Sequence, residues 1–298
     1  MKLTGITDEA GSDIRAQIKA VQQLGWSAIE LRNASVGGGP AASVHEIPQT
    51  QFDQVAAALD ESGVGVAAIG STVANWARSI DESFEVTLDQ LSRLVPRAQR
   101  LGTKFIRIMS YAVRKNEDGS DATDQKRAER IRRLREIVAR LGEAGLAAVH
   151  ENCMNYGGMG LSYTLDLLAE VPGLRLVFDT ANPVFNGDRD QPAPHPRQDP
   201  WAFYQGIRDH VAHVHVKDCV WNAARQDADY TWPGEGDGRV ADILADLKAR
   251  NYDGWISIEP HMAVVFHDPT LSQDNDATRV AQFENFVAYG RRLEALLR

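Results

Sequence analysis

Residues 12–32 read SDIRAQIKAVQQLGWSAIELR, and this stretch decides the fold class because it holds one helix and one strand in a single unit. Ser12 or Asp13 can cap a helix, apolar residues then recur at helical spacing, and Gly25 follows where a left-handed cap is favoured. The next residues, SAIELR (27–32), form a short apolar run that is typical of a buried strand. The sequence therefore predicts a helix that ends at a glycine and passes directly into a strand.

The same unit recurs along the chain. Strands are predicted at 3–9, 27–32, 64–71, 104–110, 147–152, 175–180, 211–218 and 255–261. Helices are predicted at 13–24, 51–62, 83–101, 126–144, 162–171, 200–209, 240–250 and 277–297, and the tripeptides QLG, ESG, RLG and EAG end four of them. Strands that alternate with helices indicate a parallel sheet joined by crossover connections.

Eight such pairs without an evident linker favour an α/β fold consisting of a single (β/α)8 TIM barrel over residues 1–298. A doubly wound sheet would have a glycine-rich GxGxxG turn after its first strand, whereas this chain reads TDEAGSD (7–13) there. Long loops at 182–200 and 218–238 follow strands, so we expect them on the active-site face of the barrel.

Composition and charge narrow the function classes. The chain has 298 residues, 43% of them apolar and 24% charged, and a formal net charge of −9, which argues against nucleic acid or an anionic membrane as a partner. No apolar run is long enough for a membrane span, and the opening residues do not resemble a secretory signal. Cys153 and Cys219 are too few for a disulfide scaffold, so we expect a cytoplasmic protein.

Four residues at strand ends make a candidate metal site. Chemistry in a barrel collects at the C-terminal ends of the strands, and strands five to eight end near Glu151, Asp179, His215 and Glu259. Taken singly, such a carboxylate is usually a helix cap or an ion-pair partner, and such a histidine is a hydrogen-bonded core residue. Together, three converging carboxylates repel one another unless a cation lies between them. This donor set suits Mn²⁺, Mg²⁺, Co²⁺ or Zn²⁺.

The seventh strand, VAHVHVKD (211–218), carries two histidines and a lysine on one face. Side chains alternate between the faces of a strand, so His213, His215 and Lys217 are expected to point into the barrel. We interpret His215 as the metal ligand and His213 as a deeper, hydrogen-bonded residue. Lys217 is expected at the rim, where it can contact the substrate.

Three further polar residues are candidates for catalysis or substrate binding. His261 lies two residues beyond Glu259 and shares its face, which fits either an acid/base group or a rim histidine bonded to a loop. Alternation turns His150 outward, although strand ends often break that rule. Arg107 should face inward and needs a carboxylate partner, for which Glu30 or Glu9 is expected, so its role is structural or substrate-binding.

Aromatic residues in the loops are candidates for the wall of a sugar site. Trp76, Trp221 and Trp232 fall in predicted loops, and sugar rings pack on aromatic faces. The stretch PHMAVVFHD (260–268), which contains His267, could fold over the site or be an ordinary loop. The last two strand ends carry no compact cluster of basic residues that would hold a phosphate, which favours an unphosphorylated substrate.

Four motifs, HENC (150–153), FDTAN (178–182), HVHVKD (213–218) and NYDGWISIEPH (251–261), resemble the sugar phosphate isomerase/epimerase group of the xylose isomerase-like TIM barrels. That group includes ketose 3-epimerases and inosose dehydratases, and its members are often homo-oligomers. The resemblance implies that Glu151, Asp179, His215 and Glu259 bind one divalent metal, with manganese expected first.

The resemblance also implies roles for individual residues, and the chain departs from the epimerase pattern in two places. It implies that Glu151 and Glu259 remove and return the substrate proton. The epimerases carry a histidine where this chain has Asn182, and an arginine after the metal-binding histidine where this chain has Lys217 and Asp218, as the dehydratase-like members do. Asn182 and Lys217 are therefore candidate substrate contacts, together with Arg107 and Trp232.

These observations leave two enzymatic readings open. The first is a metal-dependent isomerase or epimerase of a sugar or polyol, acting through an enediolate next to a polarised carbonyl. The alternative is a lyase on the same scaffold, either an inosose-type dehydratase or a 3-keto-glycoside-cleaving enzyme with a partner subunit. An endonuclease IV-type nuclease would need more histidines and a basic face, and a purely sugar-binding barrel would not need the intact ligand set.

Overall fold

The computed structural model describes residues 1–262 and 276–298. Eight strands form one parallel sheet: β1 Lys2–Gly5, β2 Ala28–Leu31, β3 Gly65–Gly70, β4 Phe105–Ile108, β5 Ala147–Glu151, β6 Arg175–Asp179, β7 Val211–Val216 and β8 Trp255–Ile258. Each is followed by a helix: α1 Ile14–Leu24, α2 Gln49–Ser62, α3 Glu85–Arg100, α4 Arg127–Glu143, α5 Leu161–Glu170, α6 Pro200–Ile207, α7 Val240–Ala249 and α8 Asp276–Leu296. Each predicted strand and helix is found, with ends that differ by a few residues.

Strand pairing confirms the predicted barrel. The sheet order runs from β1 to β8 and then down through β7, β6, β5, β4 and β3 to β2, with parallel pairing throughout. The ring is closed between β1 and β2 by a parallel bridge from Ile6 to Glu30. The hydroxyl of Thr4 also donates a 2.8 Å hydrogen bond to the carbonyl oxygen of Ala28.

The ends of helix α1 follow the predicted chemistry. The carboxylate of Asp13 accepts a 2.9 Å hydrogen bond from the backbone N–H of Arg15, which satisfies one of the free donors of the first turn. Gly25 has a φ of 75°, in the left-handed region where a residue with a Cβ is disfavoured. Gly63, Gly102 and Gly145 end their helices with φ values of 69°, 67° and 74°.

The main apolar core lies between the sheet and the helices, while the barrel interior holds polar side chains together with the buried Val149 and Val177. On β7, Val214 and Val216 are fully buried in the core cluster. His213, His215 and Lys217 alternate with them, as predicted, and lie inside the barrel. Each fully buried valine or larger apolar side chain stabilises the fold by about 1.5–3 kcal/mol relative to an exposed one. The outer layer therefore contains the larger apolar cluster, and the polar side chains of the inner face are available for chemistry.

Short elements build the loops above the strand ends. After β7, Asp218–Asn222 and Asp227–Thr231 pair as an antiparallel hairpin within the predicted 218–238 loop. A short helix, Asn182–Phe185, follows β6, and Asn33–Ala34 pairs with Ala42–Ser43 after β2. In the described part of the chain, no helix combines the length and apolar character that crossing a bilayer requires.

Candidate functional site

Four consecutive strands bring the predicted metal ligands together. Glu151 ends β5, Asp179 ends β6, His215 lies near the end of β7, and Glu259 directly follows β8. One donor atom from each of the four side chains lies within 4.8 Å of the others, and all four residues are buried. The spacing predicted from strand ends thus gives a compact set of three carboxylates and one imidazole.

The imidazole of His215 is oriented by Glu30. Its Nε2 lies 3.0 Å from Oε1 of Glu30, and because a carboxylate can only accept, Nε2 carries the hydrogen. The carboxylate of Glu30 also accepts from Nε2 of His213 at 2.6 Å and from the hydroxyl of Ser257 at 2.5 Å. His213 is thus the hydrogen-bonded residue that the sequence predicted, and Glu30 explains why two histidines share one face.

The other ring nitrogen of His215 is the one that faces the acidic cluster. Its Nδ1 lies 3.6 Å from Oε1 of Glu151 and makes no hydrogen bond within residues 1–262 and 276–298. Burial disfavours the imidazolium, but the carboxylates of Glu30 and Glu151 outweigh it and hold the pKa of His215 well above its usual range. A buried nitrogen that points at carboxylates is suited to a metal ion, which would displace the proton.

The electrostatics of Asp179 also fit a bound cation. Burial raises its pKa to about 6; Lys217 opposes this, and Glu259 and Glu151 add to it. Its Oδ1 is fixed by the backbone N–H groups of Ala181 at 2.9 Å and Asn182 at 2.7 Å. Three buried carboxylates this close together repel one another, and a divalent ion between them would remove that repulsion. The donor set therefore fits the predicted metal.

Two basic side chains pair with Glu259, and one of them also contacts Asp179. Lys217 bridges two of the candidate ligands, with its Nζ 3.1 Å from Oδ2 of Asp179 and 2.9 Å from Oε2 of Glu259. Arg32 donates from Nη1 to Oε1 of Glu259 at 2.8 Å. These contacts and a nearby His261 outweigh burial and lower the pKa of Glu259 well below its ordinary value.

Arg107 faces inward as predicted, but its partner differs from the prediction. Its Nη1 lies 3.1 Å from Oε2 of Glu151, so the expected pairing with Glu30 or Glu9 was wrong. The reason is strand order: β4 lies beside β5, and Arg107 is in register with Val149, two residues before Glu151 on the same face. Burial alone would raise the pKa of Glu151, but Arg107 and then His215 lower it to about 2.

A cavity of about 290 Å³ opens above these residues. Six of the predicted site residues line it, namely Arg107, Glu151, Asn182, Lys217, Glu259 and His261. Asp179 and His215 complete the donor set beneath it. Trp76 also lines the cavity, and the Nδ2 of Asn182 lies 3.3 Å from Oε1 of Glu151.

The structure does not bring His150 and Trp232 to this cavity. His150 lies on the outer face of β5, where its Nε2 contacts the hydroxyl of Ser110 at 3.0 Å and Oδ1 of Asn155 at 3.1 Å. Burial lowers the pKa of His150 to about 4. Trp232 packs against helix α8, with the guanidinium of Arg292 4.3 Å from its ring centre. The structure thus places both residues outside the lining of the cavity, His150 in a hydrogen-bonded site and Trp232 against a helix.

His261 is held at the cavity wall by Glu9. The carboxylate of Glu9 lies 2.7 Å from Nδ1 of His261 and accepts a 2.7 Å hydrogen bond from its backbone N–H. The ring of Tyr230, from the hairpin after β7, packs edge-on at 4.9 Å. His261 has a φ of 51°, an uncommon value for a residue with a side chain. His267, the other histidine of this stretch, lies outside the described residues.

Three residues of the candidate site were not predicted from the sequence, namely Arg32, Asp8 and Tyr230. Arg32 follows Glu30 by two residues, so the alternation rule that found Lys217 could also have found it. Asp8 fixes the Arg32 guanidinium with contacts of 3.0–3.2 Å, but it lies in a 3₁₀ turn, where alternation gives no signal. Tyr230 reaches the cavity through a hairpin that was predicted only as a loop.

Comparisons with known proteins agree with this architecture. A family profile described as xylose isomerase-like TIM barrel matches residues 18–280. No curated protein matches the chain by sequence.

Several solved structures share the fold at low sequence identity. A probable 3-DHS dehydratase from Bacillus anthracis is 18% identical, with a TM-score of 0.67 over 95% of this chain and 98% of that one. A D-psicose 3-epimerase from Clostridium cellulolyticum H10, solved with D-tagatose, is 14% identical, with a TM-score of 0.67 over all of both chains. A xylose isomerase-like TIM barrel protein from Mycobacterium smegmatis, solved in complex with magnesium, is 15% identical, with a TM-score of 0.65 over 100% of this chain and 97% of that one.

Proposed function

Because the chain belongs to the xylose isomerase-like TIM barrel family, we propose that it is a divalent-metal-dependent isomerase or epimerase of a sugar or polyol. One observation carries the proposal: Glu151, Asp179, His215 and Glu259 offer donor atoms within 4.8 Å of one another. Two of them, Glu151 and Glu259, line a cavity at the C-terminal end of the barrel, where enzymes of this architecture place their chemistry. Solved structures that share this fold include a D-psicose 3-epimerase and a probable 3-DHS dehydratase.

These four residues would hold one divalent ion, with Mn²⁺ expected first and Mg²⁺, Co²⁺ or Zn²⁺ as alternatives. When bound, such an ion polarises a substrate carbonyl and stabilises the negative charge that develops on its oxygen. Glu30 supports metal binding because it keeps a hydrogen of His215 on Nε2. This leaves Nδ1 as the atom that would bind the metal.

Glu151 and Glu259 act as the proton-transfer groups. Both line the cavity, and β6 and β7 separate the strands that carry them. Arg107 keeps Glu151 ionised at neutral pH, and Lys217 together with Arg32 keeps Glu259 ionised, as a proton acceptor must be. One carboxylate removes the proton next to the substrate carbonyl. Return of a proton to the opposite face gives an epimer, and return to the neighbouring carbon gives an isomer.

The cavity wall carries groups that suit a polyhydroxylated substrate. Lys217 and Asn182 can donate hydrogen bonds to hydroxyl groups, and the ring of Trp76 offers an apolar face of the kind that packs on sugars. Lys217 contacts two of the candidate ligands, so the same side chain links substrate binding to the charge balance of the site.

A lyase on the same scaffold is the alternative, and His261 is the observation that favours it. Its imidazole lines the cavity and is paired with Glu9 at 2.7 Å, which gives a histidine–carboxylate pair that can protonate a leaving group. Expulsion of a hydroxyl or an aglycone after proton removal would give dehydration or glycoside cleavage. The glycoside-cleaving form of this alternative would include a partner subunit.

The reaction is tested by incubating the manganese-loaded protein in heavy water with free ketoses, inososes and 3-keto glycosides, followed by mass spectrometry. We expect deuterium to enter a sugar of otherwise unchanged mass, and loss of water or of an aglycone would select the lyase. Glu151→Gln and Glu259→Gln should each abolish the exchange, whereas Glu136→Gln on the surface of helix α4 should not. Exchange that persists in both site variants would contradict the mechanism.

A further inference from the structure

A second cavity adjoins the first on the side of the loops that follow β4, β5 and β6. It has a volume of about 500 Å³ and shares Trp76, Met154 and Phe185 with the smaller cavity. We call it the outer pocket. These three apolar side chains line both cavities, so an extended ligand can contact both.

Basic side chains dominate the charge of the outer pocket. Lys115, Arg189 and Arg197 line it, and within the described residues no carboxylate does. Asp121 pairs with both Lys115 and Arg189, the latter at 2.9 Å, so one negative charge is shared between two cations. The pocket is therefore left with an excess of positive charge.

Arg197 does not share in the ion pairs that Asp121 makes with Lys115 and Arg189. Its guanidinium lies 3.6 Å from the ring centre of Trp221 and donates a 2.6 Å hydrogen bond to the carbonyl oxygen of Phe185. No carboxylate of residues 1–262 or 276–298 forms an ion pair with it. Burial, and then the like charge of the neighbouring Arg189, lower the pKa of Arg197. Trp221 and Phe185 hold the guanidinium in place without supplying an anion.

Asn186 adds an independent sign that a ligand belongs here. It lines the outer pocket and is buried, with 5% of its surface exposed. Its amide nitrogen Nδ2 has no hydrogen-bond partner in the described part of the chain. A buried donor without a partner is costly, and a hydrogen-bond acceptor in the pocket would remove that cost.

We infer that the outer pocket binds an anionic group, a carboxylate or a phosphate monoester, at the far end of the substrate. Arg197 and Arg189 supply the charge, and the Nδ2 of Asn186 supplies a neutral donor. The inference rests on the proposed function, because it places the carbonyl end of the same substrate in the smaller cavity. Lys115, Arg189 and Arg197 follow β4 and β6. The sequence-based expectation of an unphosphorylated substrate considered only the ends of the last two strands, so it did not include these cations.

The test measures binding without turnover, using three probes that have neither an aldehyde nor a ketone group. D-gluconate carries a carboxylate, D-glucitol 6-phosphate carries a phosphate monoester, and D-glucitol is neutral. Titration calorimetry at low salt should give at least tenfold tighter binding of one anionic probe than of D-glucitol. The preferred anion identifies the source of the negative charge, and added salt should reduce its advantage.

Arg197→Gln should remove that advantage and leave the affinity for D-glucitol unchanged. Arg292→Gln is the matched control, because Arg292 also stacks on a tryptophan but lies at helix α8, away from both cavities. Equal affinity for charged and neutral probes, or an unchanged preference in Arg197→Gln, would overturn the inference. Since no probe can react, this result is separate from the deuterium exchange that tests the reaction.

Discussion

At the scale of single residues, the position of His215 depends on a carboxylate that is not itself a candidate ligand. Glu30 is fully buried and accepts hydrogen bonds from His213, His215 and Ser257. A carboxylate behind a metal-binding histidine fixes the ring orientation and the tautomer, and its loss typically lowers metal affinity by about 10–100-fold. Glu30 is thus a positioning residue for the proposed metal site.

Glu30→Gln should weaken the binding of Mn²⁺ by about 10–100-fold, because an uncharged amide orients the imidazole less strongly. Titration calorimetry of the metal-free protein measures the effect, and circular dichroism checks that the fold is retained. Ser257→Ala, which removes one hydrogen bond to Glu30, should weaken metal binding less. Wild-type affinity in Glu30→Gln would show that the strand alone positions His215.

A second residue, His45, is expected to make stability depend on pH. It is fully buried between Ser43 and Thr72, with its ring nitrogens 2.8 and 2.9 Å from their hydroxyls. Burial, together with Arg93 and two further arginines, lowers the pKa of His45 from 6.5 to about 3. The unfolded chain therefore takes up a proton below pH 6.5 that the folded protein does not.

The free energy of unfolding should consequently fall as the pH drops from 6.5 towards 3, by up to about 1.4 kcal/mol per pH unit from this residue. Urea unfolding of the wild type and of His45→Gln at several pH values measures it. The variant should lose stability less steeply than the wild type on acidification. Parallel curves for the two proteins would rule out His45 as the source.

At the scale of elements, the loop after β7 is organised by one aspartate. The carboxylate of Asp218 accepts hydrogen bonds of 2.8–3.0 Å from the backbone N–H groups of Cys219, Gly234, Gly236 and Gly238. A Cβ added at Gly236 would lie 2.6 Å from the carbonyl oxygen of Cys219 and 2.7 Å from its backbone nitrogen. The chain must have a glycine there to approach Asp218 so closely.

Gly236→Ala should therefore destabilise the protein by about 1–3 kcal/mol, because the backbone has to move to accept the methyl group. Gly142→Ala is the matched control, since Gly142 lies inside helix α4 and a Cβ there meets no atom within 4 Å. That control should gain about 0.5–1 kcal/mol. Chemical unfolding compares the two variants, and equal stability of both would contradict the close approach.

Sequence patterns predicted the elements better than the contacts between them. The run VAHVHV (211–216) alternates so regularly that the alternation rule alone assigns its two faces correctly. Arg107 shows the limit, because its partner depends on which strand lies beside β4, and that order is not written in the local pattern. The hairpin that carries Tyr230 lies within a stretch rich in polar residues and glycine. This composition predicted a loop there and gave no indication of the hairpin.

At the scale of the whole molecule, the rule that strands end on one face predicts only part of the candidate site, because closure of the barrel adds contacts across its interior. Glu151, Asp179, His215 and Glu259 follow from the rule that parallel strands end on one face. Glu30 contacts His213 across the interior, over a sequence separation of 183 residues. Contacts of this kind depend on the length of side chains and the width of the barrel, so the strand-end rule does not reveal them.

A bound ion would also link four consecutive strands, β5 to β8, and should stabilise the molecule as a whole. At a free ion concentration 100 times the dissociation constant, linkage predicts a gain of about 2.7 kcal/mol. Thermal unfolding of the metal-free protein should therefore shift upward with added Mn²⁺ and return when a chelator is added. An unchanged midpoint would count against a site shared between strands.

The most direct test of the central claim is the number of Mn²⁺ ions bound by the metal-free protein, measured by titration calorimetry for the wild type and Asp179→Asn. Asp179 is the best probe, because its carboxylate is a buried member of the proposed ligand set and is not one of the two proton-transfer groups. We predict one ion per chain in the wild type and in Glu136→Gln, and a large loss of affinity in Asp179→Asn. No binding to the wild type, or equal binding to Asp179→Asn, would contradict the proposed metal centre.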